Sequence, residues 1–222
     1  MTKQILVVAA HPDDEVLGCG GTLAKHTDMG DEIHLVFLAN GESSRPVELQ
    51  NQNQRESALE QVCEQLQVAT CIELDFPDNQ MDELPLLHVV QKLEQVTSHL
   101  QPEIIYTHHS GDLNIDHRIC HEAVLTCFRP QPSSSLKQIL CFEVNSSTEW
   151  RFNRNAQFCP NHFVDISDYV DNKTALLNIY QQEMREFPHT RSIEAVMNLT
   201  TVRGTTIGFA AAEAFEVVWQ KG

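Results

Sequence analysis

The first residues that could do chemistry follow a short apolar run near the start of the chain. Residues 11–15 read His-Pro-Asp-Asp-Glu, directly after the predicted strand Gln4–Ala10. Ligands of open α/β sheets bind outside the carboxyl ends of the strands, which is where this cluster would lie. Carboxylates crowded at a buried strand end repel one another, and a divalent cation removes that conflict. The cluster therefore predicts a metal site in which His11 and Asp14 converge on one ion and Asp13 stays unbound.

Two other interpretations of this cluster are open. A dinucleotide fold places glycines at this turn so that the backbone can cradle a pyrophosphate. Here the turn carries three carboxylates, which repel phosphate, and the Gly-Cys-Gly-Gly segment at residues 18–21 arrives about two turns too late. Acidic residues also occur at helix starts, where they satisfy free N–H groups and the macrodipole. That interpretation explains one aspartate more readily than a histidine and three acids together.

A second group of candidate ligands follows the predicted strand Glu103–His108. That strand ends in a histidine, another histidine comes next, and residues 112–117 read Asp-Leu-Asn-Ile-Asp-His. In a doubly wound sheet this strand end can neighbour the first one, so its loop would supply a third ligand to the same ion. The candidates are His117, His121 and Asp112, and the spacing does not choose among them. Each histidine alone is equally explained as a polar residue at a helix start.

The elements that must position these residues alternate between strand and helix over the first two thirds of the chain. Short apolar runs predict five strands, at Gln4–Ala10, Glu32–Leu38, Cys71–Phe76, Glu103–His108 and Gln138–Val144. Helical periodicity lies between them, at Glu15–His26, Gln54–Leu66, Leu86–Leu100 and His117–Cys127. This order predicts an α/β fold, a Rossmann-like, doubly wound, mostly parallel sheet with helices on both faces.

The pattern is looser after about residue 145. We find no internal repeat and no shift in composition, so we expect a single domain over residues 1–222 with an elaborated C-terminal third. In that third, Asp168–Met184 is predicted to be helical. Ala211–Trp219 is predicted to be a helix or a helix that runs into a strand.

Composition and charge exclude several classes of protein. The chain has 15 lysines and arginines against 31 acidic residues, a net charge of −16 at pH 7. A field of that sign opposes general binding to nucleic acid or to anionic membranes. The longest apolar run near the start, Ile5–Ala10, is too short for a signal-peptide core or a membrane span.

Cysteine usage indicates the compartment. The seven cysteines are scattered and form no CxxC motif, as expected of reduced thiols. We therefore expect a soluble, cytoplasmic protein that acts on a small molecule without inserting into a membrane. The sequence leaves open whether it forms a homo-oligomer.

Residues 10–15, Ala-His-Pro-Asp-Asp-Glu, resemble the signature of the PIG-L/LmbE-like deacetylases, zinc enzymes that remove N-acetyl groups from sugar conjugates. The resemblance covers most of the chain and continues through Gly20-Gly21-Thr22, Asn40-Gly41-Glu42, Arg55, Asp116-His117, Glu149-Trp150 and residues 212–215. It implies that His11, Asp14 and His117 ligate zinc. It also implies that Asp13 is the general base.

One position departs from the family pattern. Many members have a histidine three residues before the last ligand, assigned to polarising the substrate carbonyl, and here that residue is Asn114. An asparagine amide can donate a hydrogen bond to an oxyanion, but it cannot supply a proton. Asn114 is therefore the expected electrophilic residue, with His108 or His109 as an alternative.

Three further residues complete the predicted site. Asp116 is expected to support the ligand set without touching the ion. Arg55 begins a predicted helix, and its planar fork can hold a phosphate or a sugar hydroxyl of the substrate, unless it is an ordinary surface arginine. Glu42 lies on the loop after the second strand, on the expected ligand side, and is a candidate substrate contact.

The predicted reaction is zinc-assisted hydrolysis of the N-acetyl group of an amino sugar or sugar conjugate. Zinc lowers the pKa of a bound water from about 16 toward about 7. Asp13 takes a proton as that water attacks the carbonyl and then gives it to the leaving amine. Two nitrogens and a carboxylate also suit iron(II). Alternative functions are deformylation or another amide hydrolysis, and a metal-containing sugar- or nucleotide-binding module with impaired catalysis.

Overall fold

One β-sheet forms the centre of the protein, whose computed structural model describes residues 2–41, 52–132 and 134–221. Seven strands of these residues join the sheet: β1 (Gln4–Ala9), β2 (Glu32–Phe37), β3 (Thr70–Glu73), β4 (Ile104–His108), β5 (Gln138–Phe142), β6 (His162–Asp165) and β7 (Ala212–Gln220). Their order across the sheet is β3-β2-β1-β4-β5-β7-β6. The first five strands run parallel, and β7 runs antiparallel to both β5 and β6. The mostly parallel sheet is therefore confirmed.

Helices cover both faces of this sheet. In the described ranges there are six: α1 (Asp14–Asp28), α2 (Gln52–Gln65), α3 (Leu86–Thr97), α4 (Ile115–Cys127), α5 (Val170–Ile179) and α6 (Ile193–Ile207). Alternate residues of β1 point to opposite faces, so Ile5 and Val7 pack with α1, α2 and α5, whereas Leu6 and Val8 pack with α3 and α4. This two-sided burial confirms the doubly wound, Rossmann-like prediction. None of these helices has both the length and the apolar character needed to cross a bilayer.

The glycine-rich segment of residues 18–21 interrupts α1. Cys19 has a non-helical backbone, with φ −146° and ψ 19°. A Cβ at Gly18 would lie only 2.4 Å from the Phe142 ring, so this residue has no space for a side chain. The segment therefore allows α1 to approach β5 closely.

A buried ion pair bridges this break in α1. In an unbroken helix the Gly21 N–H would bond to the carbonyl oxygen of Leu17. Here the Gly21 N–H donates to Glu213 Oε1 at 2.9 Å, and the Leu17 oxygen accepts from Lys173 Nζ at 2.9 Å. The Thr22 N–H also donates to Glu213, at 2.6 Å. Lys173 and Glu213 are 1% and 3% exposed and bond to each other, so α5 and β7 hold the two halves of α1 together.

The C-terminal third differs most from its prediction. Over Ala211–Trp219, predicted as a helix or as a helix that runs into a strand, the helix is wrong and the strand is present as β7, because pairing with β5 and β6 outweighs the helix propensity of its alanines and glutamates. Helix α5 occupies only part of the predicted Asp168–Met184. Strand β6 and helix α6 are not anticipated, and α6 is rich in threonine and valine, which have low helix propensity. The other predicted elements are present with shifted ends.

Candidate active site

The two predicted clusters meet at the carboxyl edge of the sheet. β1 pairs in parallel with β4, with Ile5 opposite Ile104 and Val7 opposite Tyr106. The chain proceeds from β1 to β2 on one side, while β4 lies on the other, so the crevice between the ends of β1 and β4 is a topological switch point. The turn after β1 and the loop before α4 both open into this crevice.

Three of the predicted ligand residues converge in the crevice. His11 Nδ1 lies 3.4 Å from Asp14 Oδ2, and His117 Nε2 lies 3.3 Å from the same oxygen. One ligand atom from each residue lies within 4.8 Å of the other two, and all three residues are buried. Two imidazole nitrogens and one carboxylate oxygen form a donor set that fits a first-row divalent ion.

The other candidate ligand histidine, His121, and the two alternatives to Asn114, His108 and His109, are engaged elsewhere. His108 Nε2 is 3.5 Å from Asp14, but it accepts a hydrogen bond from the Ala10 N–H at 2.8 Å, which uses its lone pair. His121 Nδ1 lies 2.9 Å from the carbonyl oxygen of His108. His109 contacts Glu216 at 2.9 Å and the carbonyl of Ala156. The crevice therefore brings together His11, Asp14 and His117 and leaves these three histidines outside the set.

Carboxylates hold the outer nitrogen of each converging imidazole. His11 Nε2 lies 3.1 Å from Asp78 Oδ1 and 3.1 Å from Asp116 Oδ2. His117 Nδ1 lies 3.1 Å from Asp112 Oδ1. Such outer partners fix the orientation of histidine ligands in metal sites. His11, Asp78 and Asp116 themselves form a second compact His/Asp group, but its carboxylates face the outer nitrogen of the ring.

An unusual backbone conformation keeps Asp13 apart from the His11–Asp14–His117 group. Its φ of 120° and ψ of −29° lie outside the regions that L-residues favour, a strain typical of functional sites. Its carboxylate accepts a hydrogen bond from Arg191 Nη1 at 3.1 Å and lies 3.7 Å from Arg55 Nη2. Burial raises the pKa of Asp13 to about 6, although Arg191 and Arg55 oppose the shift.

Glu15 contacts the backbone of Asp13. It accepts a hydrogen bond from the Asp13 N–H at 2.9 Å and another from the Tyr180 hydroxyl at 2.9 Å. Burial raises the pKa of Glu15 to about 8. These two hydrogen bonds stabilise the unusual backbone turn at Asp13.

Arg55 and Asn114 both line the cavity at the crevice, which has a volume of about 140 Å³. Arg55 is buried, and its guanidinium contacts Glu183 at 3.0 Å and the carbonyl oxygen of Pro12 at 2.5 Å, so it is not a solvated surface residue. Asn114 begins α4 as its N-cap. Glu42 lies outside the described residues.

Four cavity residues were not found by sequence reasoning: Asp78, Asn79, Glu183 and Arg191. Asp78 and Asn79 follow Pro77 shortly after β3, so their place beyond a strand end was a usable signal. Glu183 and Arg191 lie in the irregular segment between α5 and α6, where no motif or periodicity marks them. A mostly parallel α/β sheet that places a buried His-His-Asp group beside a further aspartate fits a hydrolase that uses a metal site.

Comparison with known proteins gives the family. Residues 6–128, more than half of the chain, match the family described as PIG-L: GlcNAc-PI de-N-acetylase. The chain is 31% identical to the uncharacterized deacetylase YaiS of Escherichia coli K12, over 79% of this chain and 89% of that protein. It belongs to the PIG-L family and is an amide hydrolase of the N-deacetylase class.

More distant relatives have named substrates. A probable N-acetyl-alpha-D-glucosaminyl L-malate deacetylase 2 from Bacillus cereus is 23% identical, over 82% of this chain and 84% of that protein. The structure of N,N'-diacetylchitobiose deacetylase from Pyrococcus horikoshii aligns with a TM-score of 0.78 and 21% identity, covering 97% of this chain and 84% of that one. Both of these proteins are thus named as deacetylases of sugar-containing compounds.

Proposed function

We propose that this protein is a zinc-dependent N-deacetylase that releases acetate from an N-acetylated amino sugar or sugar conjugate. The observation that carries the proposal is the position of Asp13, a buried carboxylate beside the His11–Asp14–His117 group but outside it. The sugar substrates of the related deacetylases support a sugar substrate here. Seven unpaired cysteines favour a reducing environment, so we propose a cytoplasmic location.

The proposed ligand atoms are His11 Nδ1, Asp14 Oδ2 and His117 Nε2. This set suits zinc, with iron(II) as the alternative native metal. When bound, the ion supplies Lewis acidity, which lowers the pKa of a water and polarises the substrate carbonyl. Asp116 holds the His11 ring from outside, as Asp112 holds that of His117.

Asp13 is the proposed general base. Its Oδ2 accepts a hydrogen bond from Arg191, whereas Oδ1 lies 3.7 Å from Arg55, beyond hydrogen-bond distance, and is the oxygen proposed to take a proton from the water that attacks the acetamide carbon. A carboxyl group whose pKa is about 6 is mostly ionised at neutral pH, yet it is more basic than an exposed aspartate. When the carbon–nitrogen bond breaks, the same proton passes to the leaving nitrogen, so the products are acetate and the free amine.

Asn114 and Arg55 are the other proposed functional residues. The amide nitrogen of Asn114 can donate to the oxyanion that forms on the carbonyl oxygen. Arg55 lines the cavity and is proposed to contact the substrate, and its bonds to Pro12 and Glu183 also secure the turn of Asp13. Glu42 stays a candidate substrate contact.

The test is acetate release from a panel of N-acetylated amino sugars and their conjugates, measured on protein loaded with zinc or iron(II) and on chelated protein. We expect acetate release that depends on the metal. Formate release from N-formyl analogues without acetate release would favour the deformylase alternative. Tight sugar binding by metal-loaded protein without turnover would overturn the hydrolase proposal and favour a binding module.

A further inference from the structure

We infer that Asn79 is a positioning residue that fixes the side-chain amide of Asn114 for the oxyanion. This inference rests on the proposed function, because the oxyanion belongs to that reaction. The residues come from separate loops, after β3 and after β4, and both line the cavity that contains His11, Asp13 and His117.

The oxygen of the Asn114 amide is committed to helix α4. Asn114 Oδ1 accepts a hydrogen bond from the Asp116 N–H at 2.8 Å and so caps the helix. The backbone N–H of Asn114 donates to Asp112 Oδ1 at 2.9 Å, which fixes the same turn. Exchanging the amide oxygen and nitrogen would remove the cap and leave the Asp116 N–H without this acceptor. The nitrogen of the Asn114 amide therefore faces away from the helix.

Asn79 receives that nitrogen. Asn114 Nδ2 donates to Asn79 Oδ1 at 3.3 Å, and Asn79 Nδ2 donates to Asp78 Oδ1 at 2.9 Å. The backbone N–H of Asn79 donates to Asp116 Oδ2 at 2.6 Å. The two amides are thus oriented from both ends, by a helix N-terminus at Asn114 and by a carboxylate next to Asn79.

This arrangement leaves one donor for the substrate. An asparagine Nδ2 carries two hydrogens, and the contact with Asn79 uses one of them. Within the described residues, Asn114 Nδ2 has no second hydrogen-bond acceptor. The hydrogen bond that Asn114 Oδ1 accepts from the Asp116 N–H polarises the amide, which strengthens its remaining N–H as a donor. Asp78 also contacts His11 Nε2 at 3.1 Å, so one network orients both a proposed ligand and the proposed oxyanion donor.

The backbone conformation of Asn79 allows its side chain to be removed without disturbing the turn. Its φ of 56° lies in the left-handed region, which glycine adopts without strain. Asn79→Gly therefore removes the amide while keeping the backbone N–H that donates to Asp116. At position 114, Asn114→Ser keeps a good helix N-cap but withdraws the amide donor.

A double-mutant cycle on kcat for acetate release tests the inference. We expect Asn79→Gly to lower kcat roughly 10-fold, with KM within about 2-fold and metal content unchanged, because the donor is present but no longer oriented. Asn114→Ser should lower kcat roughly 10²-fold. The double variant should also lose roughly 10²-fold, since Asn79 acts only through Asn114. Asn79→Ala serves as a second deletion of the same amide.

Several outcomes would overturn this role. Additive losses, roughly 10³-fold in the double variant, would mean that Asn79 acts independently of Asn114. Unchanged kcat in Asn79→Gly would remove its role altogether. Loss of metal would assign Asn79 to supporting His11 through Asp78 instead. A wild-type protein that releases no acetate would overturn the proposed function itself, which distinguishes that failure from a failure of the Asn79 role.

Discussion

Two buried groups of charged residues in this protein differ in how completely they are paired. Lys173 and Glu213 neutralise each other, and their remaining bonds go to the backbone of α1. At the carboxyl edge of the sheet, acidic residues outnumber the two arginines, and the group opens into a cavity. A closed, balanced pair only has to hold the fold. An open group with excess negative charge has room and charge for a cation, which is what the proposed metal site requires.

The largest expected effect lies in the closed pair. Lys173→Met leaves the Glu213 carboxylate buried without its counter-charge, so the free energy of unfolding should fall by about 3 kcal/mol or more in denaturant titration. The matched control is the double variant Lys173→Met/Glu213→Gln, which removes both charges and should recover much of the loss. If the free energy of unfolding of Lys173→Met were within about 1 kcal/mol of the wild-type value, the pair would not be stabilising the fold.

In the open group, the expected effect is on activity. Asp13→Asn should lower acetate release roughly 10²-fold or more, because the amide cannot accept the proton. Metal content should stay at the wild-type level, since Asp13 is outside the proposed ligand set. The free energy of unfolding should fall by less than about 1 kcal/mol, because burial already disfavours the charged carboxylate. Unchanged turnover would remove Asp13 as the base, and a loss of metal would place it among the ligands.

The smallest expected effect concerns Arg55, which lies beside Asp13 in the open group and contacts Glu183 and Pro12. Arg55→Ala should lower kcat/KM roughly 10-fold, the scale of a positioning contact. Because its guanidinium contacts Pro12 and Glu183, the loss should be equal for neutral and anionic sugar conjugates. Steady-state kinetics on one substrate of each kind distinguishes the roles, since a loss confined to the anionic conjugate would assign Arg55 to an anion of the substrate.

The sequence predicts the parallel half of the fold because its information there is local. Each strand is a short apolar run, and His11, Asp13 and Asp14 lie together directly after one of them. Asn114 and His117 likewise follow a strand end, so topology alone indicates that the two clusters approach each other. The regular alternation of strand and helix then leaves few arrangements to consider.

The C-terminal third is less predictable because its elements depend on distant partners. β7 contains alanine and glutamate, and only its pairing with β5 and β6 makes it a strand. Arg191 lies in an irregular segment, and its contact with Asp13 spans 178 positions of the chain. No spacing rule connects such residues, so their part in the site becomes visible only in three dimensions.

The Lys173–Glu213 pair that spans the break in α1 also has a consequence for folding during translation. Glu213 lies on β7, nearly two hundred positions after the helix that it completes. While a ribosome is still extending the chain, the Gly21 and Thr22 N–H groups therefore lack their acceptor, and Lys173, once made, lacks its counter-ion. The nascent polypeptide can pair its first strands early, but the helix that begins with Asp14 acquires its final support only after the last strand of the sheet has emerged.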